Sequence, residues 1–165
     1  MALPTPERIR FLYRTDQGRI DGTTWARGAG ALAAILAPLT LIWLALRPHI
    51  VHDLSKSPLF APEIFAAYAY ALFYAFALIL IAASFVNLSA KRFRDRGRPA
   101  PLGLASLFPL AVLLVGSAHL APILHPSVAE MMPSWFVGSL DAALVVAALW
   151  TIVELGVLPS QAPRK

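Results

Sequence analysis

Apolar residues in this chain gather into four long runs, at about 29–46, 63–90, 102–121 and 134–158, divided by short polar or proline-rich stretches. Each run approaches or exceeds the ~20 residues a helix needs to cross a bilayer, and none alternates with the two-residue period of a strand. The pattern therefore predicts an all-α, integral membrane four-helix bundle. Pro38 sits in the middle of the first run, which predicts a kink between Ala34 and Pro38, because membrane helices tolerate proline where neighbours satisfy the freed carbonyl. Gly28, Gly30, Ala33, Ala34 and Ala37 offer that helix a face for close packing. The second run is longer than the ~30 Å hydrocarbon core requires at ~1.5 Å per residue, so it tilts or projects beyond it. Ala66, Tyr70 and Phe73, and likewise Ala67 and Tyr74, follow helical spacing and predict an inward stripe, with Asn87 placed to bond the turn that follows.

The polar stretches set the orientation. Residues 1–27 carry Arg8, Arg10, Arg14, Arg19 and Arg27 among Ile9, Phe11, Leu12, Tyr13, Ile20 and Trp25. Two readings fit them, a short helix lying on the membrane or a partly ordered tail. Trp25, just before the first run, suits an interfacial anchor. The turn Lys91–Pro101 holds five Lys or Arg in eleven residues, and the tail 159–165 adds Arg164 and Lys165. These regions total twelve positive residues, against Arg47 and Lys56 in the two other loops. Positive charge accumulates on the cytoplasmic side, so both termini and the basic turn are expected there. The chain then divides into a cytoplasmic or interfacial segment 1–27, a membrane domain 28–158 and a cytoplasmic tail 159–165.

Composition narrows the class further. Of the 165 residues 58% are hydrophobic and 14% charged, against roughly 45–50% and 25% in soluble domains. The formal charge of +5 lies in blocks beside apolar runs, where it meets anionic headgroups rather than nucleic acid. With no cysteine there is neither a disulfide framework nor a thiolate site. The first 27 residues are too long and polar for the opening of a signal peptide, so the first run reads as a retained span.

The basic turn also carries a likeness. Lys91-Arg92, Asp95 and Gly97-Arg98 follow the order of a motif that joins two spans in a family of small bacterial inner-membrane proteins, domain of unknown function 805. Gly18-Arg19-Ile20 with Trp25 is similar to the segment before that family's first span, and Glu154-Leu155-Gly156 to the end of its last one. The chain departs from the pattern at Arg94, where the family has His, and at Pro99-Ala100-Pro101, where it has Ser-Gly-Trp. The Asn-x-Tyr-Gly-Pro tail is missing as well. The resemblance implies a multi-pass protein of a bacterial inner membrane and implies no chemistry.

Within the turn, Asp95 is placed to brace Arg92 or Arg98 bidentately, Gly97 to supply a positive φ, and Pro99 and Pro101 to halt the chain before the third span. Lys91, Arg92, Arg94, Asp95, Arg96, Gly97 and Arg98 are thus the candidate residues for contact with anionic lipid or a partner. Glu154 lies near enough the same end to meet Arg92, Arg94 or Arg96. Asp141 is the sharper anomaly, since a carboxylate inside a span costs ~2.5–3.5 kcal/mol and should face the bundle interior, paired. His119 of the third span matches it in depth. The pair reads as a clasp between helices or as a proton- or ion-linked site. His49, His52, His119 and His125 all fall on the outer side and, with Asp53, Glu130, Met131 and Met132, could make a zinc or copper site, but their spacing is not diagnostic of one. No metal or other cofactor is expected. Phosphate loops, triads and paired-carboxylate motifs are lacking, so the expectation is a non-catalytic scaffold or accessory subunit. Its partners would be anionic lipid and other membrane subunits or a second copy, with no nucleic acid. The alternative is a small transporter or channel using Asp141 and His119.

Overall fold

The structure, a computed structural model, describes residues 5–50, 61–98, 102–124 and 132–160. Helix α1, Pro6–Tyr13, starts from Thr5, whose hydroxyl accepts from Arg8 N at 3.4 Å, with Pro6 at the first helical position and Glu7 beside the positive end of the dipole. Helix α2, Gly22–Leu46, is capped by Asp21, which accepts from Thr24 N at 2.7 Å. It continues through Pro38 to a 3₁₀ turn at Arg47–His49. Helix α3 covers Pro62–Asp95, α4 Leu102–Leu124 and α5 Ser134–Thr151, the last prolonged by a π-helical turn at Ile152–Val157. The described residues contain no strand.

Three helical segments, Gly22–His49, Pro62–Asp95 and Ser134–Val157, are long and apolar enough to cross a membrane. The apolar stretch described within α4, Ser106–His119, is shorter. Large side chains point outward along these helices, among them Phe65, Leu72, Trp135 and Val157, each at least 70% exposed. In water that much bare apolar surface would drive association; in a bilayer it is the surface that meets lipid or another helix.

The chain falls into two compact units, Met1–Gly30 with Ala82–Lys165, and Ala31–Ile81. In the second unit Tyr70 donates to Leu39 O at 2.7 Å, and Tyr74 and Thr40 share a hydrogen bond of 2.9 Å. Tyr74 also stacks on Trp43, with ring centroids 5.7 Å apart. Ala67 is fully buried and Tyr70 and Tyr74 are half-buried, while Ala66 and Phe73 are exposed, so the inward stripe runs through Ala67, Tyr70 and Tyr74. The first unit has the small apolar core of Ile20, Trp25, Leu88 and Leu155. Its helices approach closely where glycine permits. A Cβ on Gly28 would lie 3.0 Å from both methyls of Leu88, and one on Gly22 would lie 2.9 Å from Gly156 O.

The main difference from the sequence expectation lies in the basic turn. Lys91 to Asp95 are not a loop but the last turn and a half of α3. Lys and Arg are good helix formers, and nothing in this run breaks the helix before Gly97. There the chain reverses in a Schellman motif: Gly97 takes φ +69°, Arg98 N donates to Phe93 O and Gly97 N to Arg94 O, both at 3.1 Å. The expected stops Pro99 and Pro101 lie outside the described residues, as do His52, Asp53, Lys56, His125, Glu130, Met131, Arg164 and Lys165.

Candidate functional site

Helix ends leave up to four carbonyls without intrahelical donors, and cations are favoured beside them by the helix dipole. Two such ends in the first unit matter here, the close of α1 and the close of the π-helical turn after α5. Both are held by the final turns of α3.

One face of α3 carries Asn87, Lys91 and Arg94, three and four residues apart, so they project on one side. Asn87 Nδ2 donates to Tyr13 O at 2.9 Å. Lys91 Nζ donates to Leu12 O at 3.0 Å and to Thr15 O, and lies 4.9 Å from the centre of the Phe11 ring. Arg94 reaches Asp16 through its backbone oxygen, and through its carboxylate at 3.4 Å. A short helix that could not persist alone is thereby fastened by its trailing carbonyls. Gly18, at φ +100°, turns the chain back toward α2, and Tyr13 donates to Gly28 O at 3.2 Å. Burial pushes the Tyr13 phenol above its ordinary pKa.

The adjoining face carries Ser89, Arg92 and Arg96. Ser89 Oγ accepts from Trp25 Nε1 at 3.3 Å, which satisfies a buried indole. Arg92 donates through Nε to Leu155 O at 2.8 Å, through Nη2 to Leu158 O, and through Nη1 to Ser160 Oγ at 3.0 Å and to Asp95. Asp95 also accepts from Ser160. Arg96 Nη1 donates to Glu154 O at 2.6 Å and to Glu154 Oε1 at 2.7 Å. Arg98 meets the same Oε1 at 2.7 Å from the far side of the Gly97 turn. The π-helical turn leaves Glu154 and Leu155 buried at this contact. Arg96 Nε is a buried donor without an acceptor among the described residues.

The seven turn residues thus divide. Lys91, Arg92 and Arg96 are at most 3% exposed and face acceptors of their own chain. Arg94 and Asp95 are partly buried in ion pairs, and only Gly97 and Arg98 are exposed. Of the seven, Gly97 and Arg98 are therefore the residues that the turn presents outward. Glu154 pairs with Arg96 and Arg98 rather than with Arg92 or Arg94, because helical rotation sends Arg94 to α1 and Arg92 finds Asp95 and the final carbonyls. Asn87 bonds Tyr13 O instead of the turn. Trp25, expected as an interfacial anchor, is instead buried against Leu88 and Leu155 at 4% exposure. Ser89, Asp16 and Ser160 were not singled out from the sequence. The three- and four-residue spacing of Asn87, Lys91 and Arg94 was visible there, but only if α3 is carried past Ala90.

The other candidates stand apart. His119 Nε2 and Asp141 Oδ1 are 2.8 Å apart, with side chains 53% and 48% exposed, so the pair forms but is not sealed inside a helix interface as expected. His49 is exposed at the end of the 3₁₀ turn. No group of three or more His, Asp or Glu among the described residues could hold a metal ion. Comparison with protein-family models, curated proteins and solved structures returns no match for this chain.

Proposed function

We propose that the chain is a non-catalytic protein of a bacterial inner membrane, a scaffold or accessory subunit whose helices pack against partner helices or a second copy. In this reading α4 completes a four-helix bundle with both termini in the cytoplasm, in the manner of domain of unknown function 805. The observation that carries it is the outward apolar surface of α2, α3 and α5, with Leu72 76% and Trp135 73% exposed. The closed pairing of the basic cluster supports it from the other side, since those polar groups are engaged in holding the chain's own segments together.

In this reading anionic lipid meets the exposed end of the turn, at Arg98, and also the segment that the turn holds. Arg8, Arg10, Arg14, Arg19 and Arg27 are all exposed, as are Ile9 and Phe11 on α1. Each basic residue near an anionic surface adds about 1 kcal/mol of attraction, and the two apolar side chains can enter the interface. Crosslinking in native membranes, followed by isolation in mild detergent, tests the proposal. A defined partner helix or a homo-oligomer is the expected result; a monomer that crosslinks to nothing overturns it.

A second reading has one specific observation behind it, the 2.8 Å contact of His119 with Asp141. A carboxylate kept at that depth with an imidazole beside it suits a proton- or ion-linked transporter. Flux in reconstituted vesicles that falls in the Asp141→Asn variant supports this reading, and unchanged flux removes it.

A further inference from the structure

Alongside the paired cluster lies a cavity of about 700 Å³, walled by α3, α4 and α5, within the ~300–1,000 Å³ range of ligand sites. Its lining is graded. Val146, Trp150, Phe85 and Phe108 make the apolar part, while Arg98 and Glu154 stand at one end. From Ala142 to Glu154 the wall supplied by α5 and its π-helical turn runs over twelve residue steps, or ~18 Å by helix rise. One leaflet occupies about half of the ~30 Å hydrocarbon core, so the groove is about as long as one leaflet is deep.

The charge at the polar end indicates what enters. Arg96 and Arg98 share the single carboxylate of Glu154, which leaves one positive charge in excess. Arg96 is buried; the Arg98 side chain is 54% exposed and among the described residues bonds Glu154 through Nη1, which turns its other donors toward a ligand. A guanidinium presented this way prefers a phosphate oxygen. We propose that this groove is a binding site for one anionic phospholipid, with the phosphate on Arg98 and an acyl chain laid along Val146, Trp150, Phe85 and Phe108. The proposal rests on the membrane reading above but not on the existence of a partner subunit.

The test is native mass spectrometry of the full chain in detergent, titrated with phosphatidylglycerol and with phosphatidylcholine of identical chains. One bound phosphatidylglycerol is expected at concentrations roughly tenfold lower than phosphatidylcholine, because both offer Arg98 a phosphate but the choline ammonium cancels the net negative charge that the excess guanidinium attracts. Arg98→Gln should abolish that preference, and Arg98→Lys should keep most of it. Val146→Trp, which fills the groove, should weaken both lipids together while leaving the helical circular dichroism unchanged. Equal binding of the two lipids by the native chain overturns the proposal, as does a preference that survives Arg98→Gln. A chain that binds phosphatidylglycerol as described yet crosslinks to nothing would sink the scaffold reading and leave this site standing.

Discussion

Helix α3 holds its neighbours by their carbonyls at both ends, but with opposite chemistry. In its first half the donors are neutral: Tyr70 reaches Leu39 O, and Tyr74 pairs with Thr40. In its last turns the donors are cations: Lys91 on Leu12 O and Thr15 O, Arg92 on Leu155 O and Leu158 O. A phenol on an apolar helix satisfies one carbonyl and brings no charge into a region that cannot solvate it. A guanidinium satisfies three or four acceptors at once, but requires counter-charge, and among the described residues the carboxylates cluster at this end. Asp16, Asp95 and Glu154 all lie within salt-bridge reach of it. One continuous helix thus uses hydroxyls where it stacks beside another span and cations where it gathers the ends of other segments.

The largest test of that contrast is Glu154→Gln. Arg96 is buried and would lose its counter-charge, and breaking a buried pair from one side costs about 3–5 kcal/mol. Thermal unfolding in detergent should show a large fall in Tm, with much of it recovered when Arg96→Met is added, because the stranded charge is then gone. If the double variant is no better than the single one, burial of charge is not what the cluster manages.

Lys91→Met is next in size. It keeps the aliphatic stem but strips the donor from Leu12 O and Thr15 O, which should cost about 1–3 kcal/mol. The loss should be local to α1, read as faster tryptic cleavage at Arg14 and Arg19 while cleavage elsewhere is unchanged. Arg94→Gln, on the same helix face but partly exposed and 3.4 Å from the Asp16 carboxylate, should cost no more than about 1 kcal/mol. If it releases α1 as fully as Lys91→Met does, the anchoring lies with Asp16 and not with the Leu12 and Thr15 carbonyls that Lys91 holds.

Much of this was legible in the sequence, and the places where it was not have a common cause. Hydropathy locates the long helices, and the Gly97 reversal and the meeting of Glu154 with the basic run follow from residue type. The turn departs from the sequence expectation because charge stops a membrane span without stopping helical hydrogen bonding. Once α3 runs to Asp95, the spacing of Asn87, Lys91 and Arg94 aims them at α1, while Arg92 and Arg96 aim at the last helix. Acceptors such as Leu12 O and Leu158 O could not have been foreseen. They are backbone atoms, exposed by where helices end and by a π-helical turn that no residue in Ile152–Val157 announces.

Tyr70→Phe should have the smallest effect, and it decides whether the contrast is real. The change removes one hydroxyl and leaves the ring, so the stacking on Tyr74, with centroids 6.2 Å apart, survives. Leu39 O retains its place as a helical acceptor, and interhelical hydrogen bonds between neutral groups in membranes contribute little because other partners are found in their absence. The fall in Tm should therefore be smaller than for any of the three changes at the cationic end, with no new protease site opened. A Tyr70→Phe loss exceeding that of Lys91→Met would invert the comparison. The hydroxyl half of α3 would then be the stronger clamp, and the cationic end only a set of charges neutralised where they fall.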